Sequence, residues 1–212
     1  MVVAKSKYKN YMVTVQSADS MMLSDFAEDE DILATVVPNP IEKFFTFLIL
    51  EIRDIEVDKV MLEMRITLAK EDKIKSKKRV NTLAKEDRLK KSAINDNFIE
   101  VCRSLSDDLA KSAKTLYETK YYKNTQFDVG SRIAFIDELN LNNSDFPDYL
   151  IFILNKLNVI LSESLGVNLR IAVLDKESIH CPFDKNINKI LSQAGLATTH
   201  RNGFYIKTYK AE

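Results

Sequence analysis

The sequence predicts an α+β protein: a long antiparallel helical hairpin, like a coiled-coil arm, followed by a small C-terminal α/β unit with a terminal β-hairpin. Three observations predict this fold. The 212 residues include only four glycines and four prolines, which favours long elements and few tight loops. Apolar residues recur every three or four positions in the first half, as on one face of a helix. After residue 125, apolar strand-like runs alternate with helical segments.

Composition indicates a globular protein with a real core. Hydrophobic residues make up 45% of the chain and charged residues 29%, values typical of folded soluble domains. The longest apolar run, 44–50, is too short to cross a bilayer, and the N-terminus lacks the apolar core of a signal peptide. Two distant cysteines make a disulfide framework improbable. We therefore expect a cytoplasmic protein without membrane contact. Its Lys-, Asn- and Ile-rich composition without Trp suits an AT-rich genome, such as that of a phage or a parasite.

The first predicted domain, 1–39, contains one strand and an acidic loop. Residues 8–16 alternate and end in β-prone residues, which favours a strand. The acidic run Glu28–Asp31 follows. It reads as a solvated loop or helix start, with electrostatic shielding of a basic segment as the alternative.

The second predicted domain, 40–124, is the helical hairpin. Asn39 and Pro40 resemble an N-cap followed by proline at the first helical position. Helices are expected at about 40–75 and 82–122, with an apolar stripe along each. The stripe residues of the first helix are Ile41, Phe45, Leu48, Ile52 and Ile55, and those of the second include Ile94, Phe98, Cys102, Leu105, Leu109 and Leu116.

A short basic repeat forms the expected tip of this hairpin. Residues 67–75 read TLAKEDKIK, and residues 82–90 read TLAKEDRLK. The segment Lys70–Lys91, called the basic segment below, holds ten Lys or Arg and four Asp or Glu, a balance of +6 in a chain of net charge zero. Such charge segregation is typical of contact with an acidic partner or with the chain's own acidic part.

Lysines on one helix face would neutralise nucleic-acid phosphates without reading base sequence. Two alternatives are a solvated helix whose acidic residues supply their own counter-charges and contact with an acidic protein. No aromatic residues interrupt the segment, so base stacking is not indicated. The predicted nucleic-acid contacts are Lys73, Lys75, Lys77, Lys78, Arg79, Lys85, Arg88, Lys90 and Lys91.

The third predicted domain, 125–212, is the small α/β unit. We expect strands at 132–136 and 167–174, a helix from Pro147 to a C-terminal glycine at Gly166, and a shorter helix at 184–194. A hairpin over 196–200 and 204–209 would turn at Arg201-Asn-Gly203.

Acidic residues follow both predicted strands of this unit. Because ligands gather beyond the carboxyl ends of strands in α/β sheets, Asp137, Asp175 and Lys176 are weak catalytic candidates for a metal-dependent nuclease or phosphoesterase. Glu138 stands beside them. Acidic residues in such places are also common turn and cap residues, and we favour that interpretation.

The terminal helix and hairpin resemble in outline the last helix and wing of a winged-helix protein, so Arg201 and Lys207 are secondary nucleic-acid candidates. A plain sheet hairpin is the favoured alternative, since a strand intervenes where helices are needed. His180, Cys181 and His200 lack zinc-site spacing, and Cys102 is expected in the core. No phosphate loop or dinucleotide fingerprint is present, so neither metal nor cofactor is predicted.

Together these patterns predict a non-catalytic interaction or assembly protein. It would form homo-oligomers through the apolar helices Ile41–Leu68 and Ile94–Leu116 and present the basic segment to nucleic acid or an acidic protein. The nuclease and the winged-helix DNA-binding accessory factor are the alternatives. The sequence resembles no family closely enough to name one.

Overall fold

The computed structural model describes residues 11–17, 45–70, 98–125, 131–142, 147–180, 187–199 and 203–210. The strands in these ranges are β1 (Tyr11–Ser17), β2 (Phe45–Asp54), β3 (Lys59–Lys70), β4 (Ser131–Leu141), β5 (Asn168–Asp175), β6 (Ile179–His180), β7 (Ala197–Thr198) and β8 (Phe204–Thr208). The helices are α1 (98–103), α2 (Asp107–Glu118), α3 (Lys120–Asn124), α4 (Pro147–Leu165) and α5 (Ile187–Gln193), with a 3₁₀ turn at Lys176–Ser178.

All eight described strands belong to one mixed sheet. Its order is β1-β2-β3-β4-β5-β8-β7, and β6 pairs with β4 beyond the end of β5. Strands β4 and β5 run parallel, joined through α4, and β6 is also parallel to β4. The other pairs are antiparallel. The sheet thus includes strands from all three of the predicted domains.

Helices cover both faces of the sheet and create two cores. On the α4 face, β1–β5 pack against α4 and α5 through residues such as Leu50, Met64, Ile136 and Leu157. On the α2 face, β4, β5 and β8 pack against α1 and α2 through residues such as Phe135, Val173 and Leu116. The result is a three-layer α/β/α sandwich.

The predicted helix over 40–75 is wrong, because residues 45–70 form the β2–β3 hairpin. Leu48, Leu50 and Ile52 alternate along one face of β2 and are almost fully buried. Phe45, Leu48 and Ile52 are also three and four residues apart, a spacing that predicts one face of a helix. The β-branched and aromatic residues between them favour a strand instead.

The turn of this hairpin lacks both glycine and proline, so its sequence does not predict a turn. The Asp54 carboxylate accepts hydrogen bonds from the backbone N–H groups of Glu56 at 2.9 Å and Val57 at 3.4 Å. Asp58 supplies the left-handed residue with φ of 48°, a conformation that Asp tolerates better than most residues.

The predicted helix over 82–122 is also wrong in its described part. Three short helices replace it: α1, α2 and α3. Ser106 separates α1 from α2. Its hydroxyl accepts hydrogen bonds from the N–H groups of Asp108 and Leu109 and so caps the start of α2. Neither a long helical hairpin nor a coiled coil is present in the parts of the chain that the structure describes.

The strands predicted after residue 131 are present in the sheet, and the two predicted helices are present as α4 and α5. Strand β4 extends past the predicted 136 to Leu141, and β5 matches the predicted strand closely. Helix α4 ends before Gly166, whose φ is 64°. No helix among the described residues is long and apolar enough to cross a membrane.

Candidate functional site

The parallel pair β4–β5 has two chemically different ends. Its register runs from Ser131 opposite Asn168 to Ile136 opposite Leu174. Asp137, which lies inside β4, and Asp175, the last residue of β5, stand just beyond the end of this pairing, which we call the carboxylate edge. At the amino ends, β3 finishes opposite β4 and brings Lys70 beside Arg132, with Arg170 on β5. We call Lys70, Arg132 and Arg170 the basic edge.

A β-bulge places Asp137 on the carboxylate edge. Arg65 of β3 pairs with Glu138 and Ile66 with Ile136, so Asp137 is the extra residue in β4. Its carboxylate accepts hydrogen bonds from the hydroxyl and the backbone N–H of Thr67. Bulges re-aim side chains and are common beside active sites. Here the bulge directs the Asp137 carboxylate toward β3.

Protein surrounding Asp137 raises the pKa of its carboxyl from 3.8 to about 7, because desolvation favours the neutral form. The two hydrogen bonds from Thr67 act in the opposite direction. The residue as a whole nevertheless retains exposed surface. Its raised pKa lets the carboxyl exchange a proton near neutral pH.

Cys102 of α1 lies in the core on the same face of the sheet. It is a free thiol and fully buried. Burial first, and the charge of Asp137 second, raise the pKa of the thiol to about 12. The thiol stays protonated at neutral pH and is not a nucleophile, as expected of a core cysteine.

Asp175 acts as a cap and a tether. One carboxylate oxygen accepts a hydrogen bond from the Glu177 N–H at 3.1 Å, which caps the 3₁₀ turn. The other lies 3.7 Å from Nζ of Lys111 on α2. Asp175 is the main cause of the raised pKa of Lys111, followed by Glu177. Lys111 also lies over the Phe204 ring, 5.5 Å from its centroid.

The two predicted carboxylates consequently have different partners. Asp137 bonds to β3, whereas Asp175 bonds to the 3₁₀ turn and α2. Lys176 uses its backbone N–H to bond Gly203 and exposes its side chain. In the described ranges, no group of three or more His, Cys, Asp or Glu is placed to hold a metal ion. Sequence analysis identified the acids but missed Thr67 and Lys111, which are distant in the chain.

Charged side chains on β3 and β4 continue this polar surface beyond Asp137. Arg65 lies 3.1 Å from a Glu63 oxygen and 3.2 Å from a Glu138 oxygen. Asn140 donates a hydrogen bond to Glu138 at 2.9 Å. Arg65 is therefore held between two carboxylates of its own chain.

The basic edge lies at the opposite end of the same strands. Lys70 is directly opposite Arg132, and Arg132 is opposite Leu169. The register shifts after Leu169, so Arg170 is an extra residue in β5, and it is 5% exposed. Lys70 and Arg132 are each partly exposed. Three cations from adjacent strands thus share one edge.

The nine predicted nucleic-acid contacts between Lys73 and Lys91 lie outside the described residues. The structure does describe both flanks of the basic segment. Ala69 pairs with Phe45 across the β2–β3 hairpin, and the Phe98 ring lies 5.9 Å from the Phe45 ring. Both flanks are therefore anchored at one place on the sheet.

The terminal hairpin is not a separate wing. Strand β8 lies between β5 and β7 inside the sheet. Lys207 donates hydrogen bonds to the Asn155 side chain and the Ala194 carbonyl, and burial lowers its pKa. Its ammonium group thus bonds to α4 and to the residue that follows α5. Arg201, Cys181 and His200 lie outside the described residues, and His180 is exposed on β6.

A polar groove of about 440 Å³ lies between α1 and α2. It is lined by both acidic and basic residues, among them Arg103, Asp107, Lys111 and Lys114. Arg103 is paired with Glu100 and lies 3.9 Å from Asp107. Lys111 is engaged by Asp175. Arg103, Asp107 and Lys111 of the groove therefore already interact with other charged side chains of the protein.

The fold and these two edges define a three-layer α/β/α protein with a mixed sheet. Searches with the chain against protein-family models, curated proteins and solved structures gave no match.

Proposed function

We propose that the protein is a non-catalytic binding or assembly protein that presents its basic segment to a polyanionic partner, specifically to nucleic-acid phosphates. The observation that carries the proposal is a +6 segment with both flanks anchored at Phe45. Ten cations in one stretch suit a partner with regularly repeated negative charge, because each neutralised phosphate releases condensed counterions.

The anchored flanks of the basic segment support the proposal that the segment is presented from a rigid surface. Phe45, Ala69 and Phe98 are buried, with 3% exposure or less, and belong to the core on the α2 face. The residues that flank the basic segment therefore belong to one packed core. Because the proposed contact involves many phosphates, affinity should depend strongly on salt.

The predicted oligomer surface is not part of this proposal. The apolar helices Ile41–Leu68 and Ile94–Leu116 were expected to associate, but the described part of the first forms strands β2 and β3. Leu50, Leu62 and Met64 are fully buried inside the protein itself. Their apolar surface is therefore already covered without a second copy.

The proposal is tested by a salt titration of binding to labelled duplex and single-stranded DNA and RNA, followed by fluorescence anisotropy. Lys77→Glu/Lys78→Glu/Arg79→Glu is compared with wild type. We expect wild-type affinity to fall by roughly 10³-fold between 50 and 200 mM salt, since about six neutralised phosphates would give a loss of that size. The triple variant should bind at least tenfold more weakly.

A matched control changes three exposed lysines elsewhere on the surface. Lys156→Glu/Lys189→Glu/Lys210→Glu alters net charge by the same amount, and all three residues are exposed. The control should retain most of the affinity. Equal losses in both triple variants would mean that net charge alone is responsible. Absence of wild-type binding at low salt would refute the nucleic-acid proposal.

Asp137 favours a second candidate, phosphodiester hydrolysis. Its bulge, solvent access and raised pKa are properties of a general acid or base. Labelled DNA and RNA would be incubated with Mg²⁺ or Mn²⁺ and excess protein, with Asp137→Asn as the variant. Glu163→Gln, an exposed change on α4, is the control. Cleavage lost only in Asp137→Asn would favour hydrolysis, and no wild-type cleavage would exclude this candidate.

A further inference from the structure

We propose that β1 pairs with β1 of a second copy of this chain, so that two sheets join into one across a two-fold axis at Thr14. The side of β1 that faces away from β2, called the outer side below, is the surface that the second copy occupies. This pairing is independent of the function proposed above, because it involves neither the basic segment nor the two edges of the β4–β5 pair.

Strand β1 is firmly held at one end of the sheet. All seven of its residues, Tyr11–Ser17, pair with β2 without a register shift. Val13 is buried in the core on the α4 face, and the ring centroids of Tyr11 and Tyr149 lie 4.6 Å apart. Among the strands that the structure describes, none pairs with the outer side of β1. Backbone N–H and C=O groups along that side are therefore available to another strand.

The outer side of β1 lacks the features by which edge strands usually avoid such pairing. Its sequence, YMVTVQS, contains no charged residue and no proline, and its ladder with β2 contains no bulge. Charges, prolines, bulges and short length are the common protections of an edge strand. Strand β7, at the other end of the sheet, has only two residues. Of the two ends of the sheet, β1 is therefore the one suited to pairing.

The hydroxyl of Thr14 has no hydrogen-bond partner among the described residues. Its Oγ1 is buried and makes no hydrogen bond there, which is unfavourable for a hydroxyl. Thr14 as a whole is partly exposed, so rotation about χ1 can bring the hydroxyl to the accessible surface. A second threonine directly across the outer side would supply both a donor and an acceptor.

Thr14 is also the middle residue of β1, and this position sets the register of the pair. A two-fold axis through Thr14, normal to the sheet, pairs all seven residues of two antiparallel β1 strands, whereas an axis at another residue pairs fewer. The resulting pairs are Thr14 with Thr14, Val13 with Val15, Met12 with Gln16 and Tyr11 with Ser17. None of them contains a charge, and β-branched pairs such as the two valines favour a sheet. One strand thus forms both halves of the interface, as a two-fold dimer requires.

The small size of this interface predicts weak and reversible association. Interfaces that bury less than about 1,200 Å² belong mostly to transient complexes, and a pair of seven-residue strands is expected in that class. Because β1 is already ordered on its sheet, little further ordering is needed on binding. We therefore expect a monomer at low concentration and a dimer at high concentration.

The experiment measures the mass of the full chain in solution as its concentration is raised. Sedimentation velocity and light scattering would follow wild type from about 1 to about 300 μM, a range suited to weak association. Thr14→Lys and Thr14→Asp each place like charges opposite each other across the axis. Thr198→Lys makes the same change at the exposed threonine of β7 and is the matched control. Circular dichroism and thermal unfolding verify that each variant is folded.

We expect wild type to rise from 24.3 kDa toward twice that mass, and Thr198→Lys to behave in the same way. Thr14→Lys and Thr14→Asp should each weaken self-association by about tenfold or more, because like charges directly opposite each other are unfavourable. Mixed in equal amounts, the two Thr14 variants should associate again, since opposite charges then meet across the axis. Such recovery cannot come from a variant that fails to fold.

A wild type that remains at 24.3 kDa throughout would overturn the second copy as the occupant of this side of β1. If an added uncharged strand peptide then bound wild type, and bound Thr14→Lys less, the occupant would be a strand of a different protein. Equal losses in Thr14→Lys and Thr198→Lys, or no recovery in the mixture of folded Thr14 variants, would also overturn the proposed pairing. The nucleic-acid titration described above decides the proposed function separately.

Discussion

The two ends of the β4–β5 pair use their charges differently. At the carboxylate edge, both acids bond to groups of the protein: Asp175 caps a turn and pairs with Lys111, while Asp137 accepts two hydrogen bonds from Thr67. At the basic edge, cations from three adjacent strands adjoin a segment of balance +6. The comparison teaches that acids after strands are weak evidence for catalysis until their partners are known.

The largest expected effect concerns the anchor of the basic segment. Phe98→Ala removes a buried ring from its contacts with Phe45 and Tyr117 and should lower the free energy of unfolding by about 3–5 kcal/mol. Chemical denaturation measures this loss. Phe98→Leu is the control, with a smaller loss. If Phe98→Ala were neutral in stability, the flanks of the segment would not be anchored as described.

The next effect tests proton binding at the carboxylate edge. The pKa of Asp137 is raised from 3.8 to about 7 on folding, so the folded state binds the proton more tightly. Stability from this group is present below about pH 4 and is lost as pH rises to about 7. Asp137→Asn should remove this loss and stabilise the protein at pH 8 by about 1 kcal/mol, a value reduced because water screens the carboxyl.

Thermal unfolding of wild type and Asp137→Asn between pH 4 and pH 8 measures this difference. The variant should gain stability over wild type as pH rises. Glu163→Gln on the exposed face of α4 should show no such trend. A constant difference across the range would mean that the Asp137 carboxyl has an ordinary pKa.

An effect of comparable size is expected at Asp175. Asp175→Ala removes the cap of the 3₁₀ turn and the partner of Lys111, so unfolding free energy should fall by about 1 kcal/mol at neutral pH. Asp175→Asn keeps an oxygen for the Glu177 N–H and should lose less. Urea denaturation distinguishes them. Identical losses would assign the effect to the ion pair and not to the cap.

The smallest effect is expected for Lys111→Met. Lys111 is about half exposed, with a side-chain accessibility of 47%, and ion pairs exposed to solvent contribute little to stability. Methionine preserves the packing of the aliphatic stem against Phe204. A double-mutant cycle with Asp175→Ala measures the coupling, which should weaken in high salt. Coupling that is insensitive to salt would contradict this interpretation.

Local signals in the sequence predicted some elements and missed others. Strands β4 and β5 are nearly continuous apolar runs, and Gly166 marks the end of α4, so these three elements were predictable. Strands β2 and β3 were not, because Phe45, Leu48 and Ile52 satisfy a helical spacing while their turn at Asp58 lacks glycine. Tertiary packing selects the alternating spacing of a strand over the spacing of a helix in this segment.

The residues of the candidate site were likewise predictable only in part. Asp137 and Asp175 were identified because acids after strands are visible in the sequence. Their partners Thr67 and Lys111 were not, because strand register and helix packing bring distant residues together. The β-bulge at Asp137 has no sequence signal of its own here. Pairing of Lys70 with Arg132 likewise follows only from the β3–β4 register.

The shared anchoring point of Ala69 and Phe98 has a consequence for loop-closure entropy. The cost of closing a flexible loop grows only with the logarithm of its length, by about 0.6 kcal/mol for each doubling. Shortening the connection between β3 and α1 should therefore alter folding stability little, since its ends already meet. A chain with Lys73–Lys91 excised is expected to keep the sandwich, so that binding can be separated from folding in a single protein.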